Sequence, residues 1–319
     1  MSSRIDEGTL QAGLRTHGYV GFIGMVAAGA LLIEGNEFVS GWFTPIMWTF
    51  YILFVDALVY KLQNRSLLVN DRREFLILAV VSIANWWLFE LYNAPRFWNS
   101  NLELWWHYHN IEPNLFVRRI GYDWAFATIS PAMFETADLL RLTVFRRKTK
   151  WRAVGLSRTP LRIISAIGAA LAILPLVVLS GWFAPLVWLS FILFFDPINA
   201  LAGRPSILRD IGQGAWRRTI SLLGGGALCG VLWEFWNYWA ATKWTYTVPY
   251  FGGIRLFEMP VLGYLGFPPF AIECWATYVL IRGWALGSSS WEGSSVLPPE
   301  VSTAAVRNLE QSTTGSHAG

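Results

Sequence analysis

Charged residues are scarce in this sequence. Asp, Glu, Lys and Arg make up 14% of its 319 residues, whereas hydrophobic residues make up 54%. Soluble domains usually carry about a quarter charged residues, so this composition excludes an ordinary soluble domain. Segments of about ten residues with alternating polarity, which are typical of membrane β-barrels, are also absent from the sequence. Because only closed hydrogen-bonded elements are stable in hydrocarbon, the sequence predicts an all-α integral membrane protein.

Cysteine and the common catalytic motifs are nearly missing as well. The two cysteines, Cys229 and Cys274, lie in apolar runs without CxxC spacing, which indicates buried thiols rather than a disulfide or a metal site. No GxxxxGK[ST] loop, HExxH motif or GxSxG elbow occurs, and the GGG at 224–226 indicates close helix packing. His107 and His109 do not complete a zinc site by themselves. The sequence therefore predicts no metal site and no cofactor.

Eight apolar stretches have nearly the length of about 20 residues that crosses a hydrocarbon core of about 30 Å. The polar residues 1–17 lack the features of a signal peptide and are expected to be a cytosolic lead-in. Residues 285–319, rich in Ser, Gly and Pro, are expected to be a disordered cytosolic tail. We predict transmembrane helices at residues 18–34, 42–62, 74–95, 119–141, 161–180, 182–202, 218–240 and 259–283.

The basic residues predict the orientation, because cytoplasmic loops collect Lys and Arg. With the N-terminus inside, only five of the 25 basic residues would lie outside: Arg96, Arg118, Arg119, Lys243 and Arg255. This distribution predicts a multi-pass protein of a bacterial-type inner (plasma) membrane with both termini inside. The basic residues 145–159 then form a cytoplasmic linker, whose charge is explained by orientation and anionic lipids, so no nucleic-acid partner is expected.

The chain contains an internal repeat. SGWFTPIMWTFYILFVD at 40–56 recurs as SGWFAPLVWLSFILFFD at 180–196, and FELYN at 89–93 matches WEFWN at 233–237. We therefore predict two four-helix units, residues 18–144 and 160–284. Since four spans return the chain to the same side, the units are parallel and a pseudo-twofold axis follows the membrane normal.

Each unit carries three carboxyl groups within its predicted spans. An ionisable group at the bilayer centre costs roughly 2.5 kcal/mol or more and usually faces the bundle interior, where it marks a functional site. We expect these acids to meet in pairs around the axis and to line one interior cavity. Asn93 and Asn237 lie three residues after a glutamate, on the same helical face, and are expected to hold its carboxyl. The candidate acids are Glu90, Glu234, Glu135, Glu273, Asp56 and Asp196.

Every one of these groups also has a structural interpretation. Asp56 and Asp196 could pair with arginines of the inner loops. The glutamate and asparagine pairs could cross-link helices, since polar groups hold membrane bundles together. Glu135 and Glu273, each four residues after a proline, could bind backbone groups that the proline frees.

Tryptophan is unusually abundant, with 19 residues. Trp42 and Trp182, at the start of spans, are interpreted as interfacial anchors. Trp48, Trp188, Trp233 and Trp236 are expected to line packed helices or an apolar cavity. The residues predicted to contact a ligand are Asn93, Asn237, Trp233, Trp236, Trp106 and Trp244.

One stretch, WEFWNYWAATKWTYTVPYFGGIRLFEMPVLGYLGF at 233–267, resembles a pattern of membrane carotenoid 1'-hydratases. The duplicated acid-bearing units are also similar to the integral-membrane lycopene cyclases of bacteria and archaea. The resemblance implies that Glu234 matches the first acid of the family, with Pro260 and Leu262 in its VPVL motif. Where the cyclases have adjacent acids after a proline, this chain has the single residues Glu135 and Glu273.

Three functions are compatible with the sequence. The leading hypothesis is a membrane protein that binds an isoprenoid or another long apolar lipid, or catalyses an acid-dependent change in it. The second is a proton- or cation-coupled transporter in which the same acids are the coupling sites. The third is a noncatalytic membrane subunit whose acids lock the helices together. A close-fitting apolar cavity would favour the first, a water-filled path the second and a filled bundle with every acid paired the third.

Overall fold

A computed structural model describes residues 13–95, 103–147, 151–249, 253–287 and 296–297. Most of the predicted lead-in and tail lies outside the described residues. The helices are α1 (Thr16–Ile33), α2 (Glu37–Gly41), α3 (Phe43–Gln63), α4 (Leu67–Asn70), α5 (Arg72–Asn93), α6 (Leu115–Leu142), α7 (Arg158–Val177), α8 (Ala184–Leu201), α9 (Ile207–Gly212), α10 (Arg217–Trp239) and α11 (Phe267–Leu286). The short strands are β1 (Trp106–His109), β2 (Lys243–Tyr246), β3 (Arg255–Leu256) and β4 (Met259–Pro260).

Six of these helices are long and apolar enough to cross a membrane: α1, α3, α5, α7, α10, and α8 with the preceding turn from Gly181. The chain is therefore a multi-pass membrane protein, as predicted. Long helices also cover the other two predicted spans, as α6 and α11. The last one begins later than predicted, at Phe267, because Pro268 and Pro269 occupy its first turn, where a missing backbone N–H costs nothing.

The less apolar helices α6 and α11 lie inside the bundle. Helix α6 contacts α3, α5 and α10, whereas α11 contacts α8, α10 and α5, and the two also contact each other. Their middle residues are almost fully buried. Because these helices face protein rather than lipid, they can carry polar residues that a lipid-facing helix could not. Helices α1 and α7 lie at the periphery, against α3 and α8 respectively.

The predicted close helix packing at the glycine triplet is confirmed. A Cβ atom on Gly225 would lie 2.9 Å from the Met133 carbonyl oxygen of α6, and one on Gly226 would lie 2.4 Å from the Phe267 carbonyl oxygen of α11. Any side chain at Gly226 would therefore displace the neighbouring backbone. Helix α10 thus approaches both central helices more closely than a larger residue would permit.

Strands β1 and β2 form an antiparallel pair at one end of the bundle, which we call the ribbon. Trp106 lies opposite Tyr246, His107 opposite Thr245, and Tyr108 opposite Trp244. The ribbon joins the segment after α5 to the segment after α10, and it was not expected from the sequence. We call this end of the molecule the ribbon end.

Candidate functional site

A cavity of about 750 Å³ lies at the ribbon end. Its wall is formed by both strands of the ribbon and by residues of α3, α5, α6, α8, α10 and α11. Eight tryptophans line it: Trp42, Trp48, Trp86, Trp105, Trp106, Trp188, Trp233 and Trp244. A cavity of this volume with a mainly apolar wall is suited to an apolar molecule.

Some of the residues that line the cavity are also exposed on the outside of the bundle. One group comes from α3, α6 and the residue before α3, and it includes Trp42 and Ala125. The other comes from α8, the 3-10 helix Val261–Gly266 and α11. In this second group Leu189 is 44% exposed and Leu265 is 70% exposed.

Glu90 of α5 forms a buried polar unit with the ribbon. Its Oε1 atom accepts hydrogen bonds from Tyr108 Oη at 2.5 Å, Trp86 Nε1 at 2.9 Å and Trp106 Nε1 at 3.2 Å. All three donors line the cavity. The carboxyl therefore lies one side chain behind the cavity wall.

Glu234 of α10 forms a similar unit with the other strand. Tyr246 Oη donates to Glu234 Oε1 at 2.7 Å, and Trp244 Nε1 donates to Tyr246 Oη at 2.7 Å. Both ribbon residues line the cavity. Glu234 Oε2 is buried and has no hydrogen-bond partner among the described residues. We call Glu90 with Tyr108, and Glu234 with Tyr246, the two glutamate–tyrosine pairs.

The two tyrosines keep their protons. Burial, first, and the neighbouring glutamate, second, raise the pKa of Tyr108 and of Tyr246 well above the usual tyrosine value. At neutral pH both hydroxyls are therefore protonated and act as donors toward their glutamates. The site thus contains two tyrosines in the wall of an apolar cavity, each with its hydroxyl bonded to a buried carboxyl.

The asparagines hold the ribbon, not the carboxyls. Asn93 Oδ1 accepts from the backbone N–H groups of Trp105 and Trp106, and Asn93 Nδ2 donates to the Trp106 carbonyl at 2.8 Å. Asn237 makes the corresponding two bonds to the Trp244 backbone, at 2.8 and 2.9 Å. The expectation that these amides orient the glutamates is corrected: they share the helical face but reach past the carboxyl to the strand.

Asp56 and Asp196 lie far along their helices and bind the start of a short helix. Asp196 accepts from Ser206 Oγ and from the backbone N–H groups of Ile207 and Leu208, each at 2.8 Å. Asp56 accepts from Ser66 Oγ and Leu68 N at 2.8 Å, and it also contacts His17 Nε2 at 2.9 Å. These bonds satisfy the free backbone donors at the start of α4 and α9, a structural role that differs from the expected arginine pairing.

Glu135 and Glu273 are buried within the central helices. Glu135 is 2% exposed and lies beside Asp56, whereas Glu273 is fully buried. In the described part of the chain, Glu135 Oε1 and both carboxyl oxygens of Glu273 lack a hydrogen-bond partner. None of the six candidate acids lines the cavity directly. The expectation of one cavity lined by all six is therefore wrong, because only Glu90 and Glu234 lie at the ribbon end.

Three of the four tryptophans predicted to contact a ligand, Trp106, Trp233 and Trp244, line the cavity. Trp236 instead packs edge-on against Trp48, with ring centres 4.6 Å apart. Trp48 and Trp188 line the cavity, in agreement with the sequence. Sequence reasoning missed Tyr108, Tyr246 and Trp86. The tyrosines could have been found, since both follow the matched tryptophan of WHY and WTY by two residues.

Over the ranges that the structure describes, no group of three or more His, Cys, Asp or Glu is arranged to hold a metal ion. His109 instead contacts Thr245 Oγ1 at 2.8 Å across the ribbon. No family model, curated protein or solved structure matches this chain.

Proposed function

We propose that the protein binds a long apolar lipid in the cavity at the ribbon end, and that the glutamate–tyrosine pairs orient or protonate it. The observation that supports this most strongly is the cavity's composition. Eight tryptophans supply an apolar wall, and Tyr108 and Tyr246, whose hydroxyls bond the two glutamates, also line the cavity. Ligand sites combine an apolar lining with a few polar groups of this kind.

The chemistry available at this site is proton donation. A tyrosine hydroxyl linked to a buried carboxyl can pass a proton to a ligand and take one back, which is general acid catalysis. The surrounding indole faces, such as those of Trp86 and Trp233, stabilise positive charge. A carbon–carbon double bond is therefore the group we expect to react. The choice of an isoprenoid rests on the resemblance of residues 233–267.

We infer further that the chain is built from two parallel four-helix units. Asp56 and Asp196 bind equivalent serines and backbone donors, and Asn93 and Asn237 bind equivalent strands. The ribbon register supports the same twofold relation, since each tryptophan lies opposite the other strand's tyrosine around the central His107 and Thr245. A pseudo-twofold axis through that centre would exchange the two glutamate–tyrosine pairs.

The charge distribution leads us to propose that the ribbon end faces away from the cytoplasm, with both termini inside a bacterial-type plasma membrane. Cysteines placed singly at the exposed positions Glu103 and Ala153 should react from opposite sides of the membrane. Native Cys229 and Cys274 are buried and should remain unlabelled. A membrane-impermeant maleimide should label only the Glu103→Cys protein in intact cells. Labelling of Ala153→Cys alone would reverse the orientation.

The proposed function is tested by the molecules that the protein retains. Protein purified from its membrane in mild detergent should carry an apolar long-chain molecule in a ratio near one per chain, measured by native mass spectrometry and solvent extraction. Replacing both cavity hydroxyls, in a Tyr108→Phe/Tyr246→Phe protein, should preserve binding but stop conversion of that molecule. A protein free of any apolar molecule, with no affinity for the membrane's apolar lipids, would refute the proposal.

A further inference from the structure

The two glutamate–tyrosine pairs differ in one residue that the repeat does not keep. Trp86 lies four residues before Glu90, one helical turn away, and donates its indole N–H to that carboxyl at 2.9 Å. At the matching place in the second unit, four residues before Glu234, the chain has Gly230. Glu234 therefore lacks the donor that Glu90 receives from its own helix.

Packing keeps a donor out of this second position. A Cβ atom on Gly230 would lie 2.3 Å from the ring of Phe267, at the start of α11. In the second unit, the Phe267 ring thus occupies the position that corresponds to the Trp86 side chain of the first unit. Since this contact involves the first residue of a central helix, the difference is built into the fold.

The carboxyl oxygens of Glu90 and Glu234 therefore have different hydrogen-bond partners. Glu90 Oε1 accepts three hydrogen bonds, from two indoles and a hydroxyl. Glu234 Oε1 accepts one bond from Tyr246, with Trp244 also within reach of the carboxyl, while its Oε2 is buried without a partner in the described ranges. Donors favour the ionised form of a carboxyl, whereas an unpartnered buried oxygen favours the neutral form.

The other titratable groups near the two carboxyls do not change which of them favours the ionised form. Glu103, beside Glu90, is an exposed residue of the loop and contacts His107. Near Glu234, Glu258 is held by Lys243 at 2.7 Å. Tyr264 of the 3-10 helix also lies close to Glu234, and burial raises its pKa, so it brings no charge. The hydrogen bonds to Glu90 and the unpartnered Oε2 of Glu234 therefore determine which of the two carboxyls is ionised.

We infer that the two pairs have different roles: Glu234 with Tyr246 supplies the proton to the ligand, and Glu90, held as a carboxylate by its three donors, stabilises positive charge. This assignment rests on the proposed function. For a ligand with a double bond, the Tyr246 hydroxyl turns its proton from Glu234 to the ligand and gives it to one alkene carbon. The π electrons form the new C–H bond and leave a cation at the other alkene carbon, while the proton of Glu234 moves to Tyr246 Oη and Glu234 becomes a carboxylate. A further carbon, adjacent to the cationic one, then loses a proton to Tyr246 Oη as the Tyr246 proton returns to Glu234, and the electrons of the broken C–H bond form the shifted double bond.

Infrared difference spectroscopy on the purified protein tests the assignment without any substrate. Glu234→Gln should remove one deuterium-sensitive carbonyl band of a protonated carboxylic acid. Glu90→Gln should leave that band unchanged and remove intensity from the ionised carboxylate region. Both variants keep the side-chain shape, and buried Glu135 and Glu273 contribute equally to each spectrum. Loss of the protonated band in Glu90→Gln, or in neither variant, would overturn the inference.

Trp86→Phe provides a second, independent test. Removing the indole donor should make Glu90 resemble Glu234, so that a new protonated-carboxyl band is gained at neutral pH. Trp87→Phe is the matched control, because the adjacent Trp87 indole donates to Asp123 and not to Glu90. Equal spectra for the two variants would contradict the assignment. Lipid retention measured on the same samples separates the outcomes, since a protein with the predicted bands but no bound lipid would refute the proposed function alone.

Discussion

Alanine at Asn237 or Asn93 should detach the ribbon and empty the cavity of its lipid. Both amides are fully buried. Each one accepts a hydrogen bond from a backbone N–H at a ribbon strand and donates one to a backbone carbonyl of that strand. Truncation leaves buried backbone groups unpaired, at a cost of about 1–3 kcal/mol for each group. We expect a lower unfolding temperature in detergent, measured by intrinsic tryptophan fluorescence, together with loss of the retained lipid.

Asn70→Ala is the matched control. Asn70 also accepts a hydrogen bond from a backbone N–H, that of Ser66, but it is exposed and lies at the opposite end of the bundle. This variant should lose a smaller part of the unfolding free energy and should retain its lipid. Asn93→Ala and Asn237→Ala proteins with the wild-type lipid content would show that the ribbon does not close the cavity.

Filling the cavity should reduce lipid retention roughly tenfold or more. Ala125 of α6 and Ala184 of α8 both line the cavity. Ala125 belongs to the first group of lining residues described above, and Ala184 belongs to the second. Phenylalanine at either position occupies space that the ligand needs, and the wall of packed tryptophans has little freedom to move away. A tenfold loss corresponds to about 1.4 kcal/mol of binding free energy. The lipid-to-protein ratio after purification measures it.

Ala27→Phe controls for added bulk. Ala27 lies on the exposed face of peripheral α1, so a larger side chain there enters lipid rather than the cavity. This protein should retain as much lipid as the wild type. If Ala125→Phe and Ala184→Phe behave like Ala27→Phe while remaining folded, the ligand does not lie in the cavity.

The membrane helices could be predicted from the sequence because hydrophobic length alone decides which segments cross a bilayer. Eight of the observed helices cover the eight predicted spans, with the largest error at Pro268 and Pro269, where prolines delay a helix start. The depth of the acids was also predictable from residue spacing. Glu135 does lie beside Asp56, as their similar predicted depth implied.

Side-chain partners could not be predicted in the same way. Asn93 and Glu90 share a helical face and both bind β1, but Asn93 binds its backbone and Glu90 its side chains. These partners depend on where β1 crosses, and no local pattern specified that strand. The Asp56 and Asp196 contacts depend likewise on the short helices α4 and α9, which fold back onto α3 and α8. Two residues of the predicted disordered tail, Val296 and Leu297, are buried, with the Leu297 carbonyl accepting from Arg218.

The most direct test of the central claim is an electron cryo-microscopy map of the protein in nanodiscs made from its own membrane. We predict continuous elongated density within the cavity, passing the hydroxyls of Tyr108 and Tyr246 and in contact with the rings of Trp86 and Trp233. The same preparation of Ala125→Phe should lack this density. An empty or collapsed cavity in the wild-type map, at a resolution that shows the tryptophan side chains, would contradict lipid binding at this site.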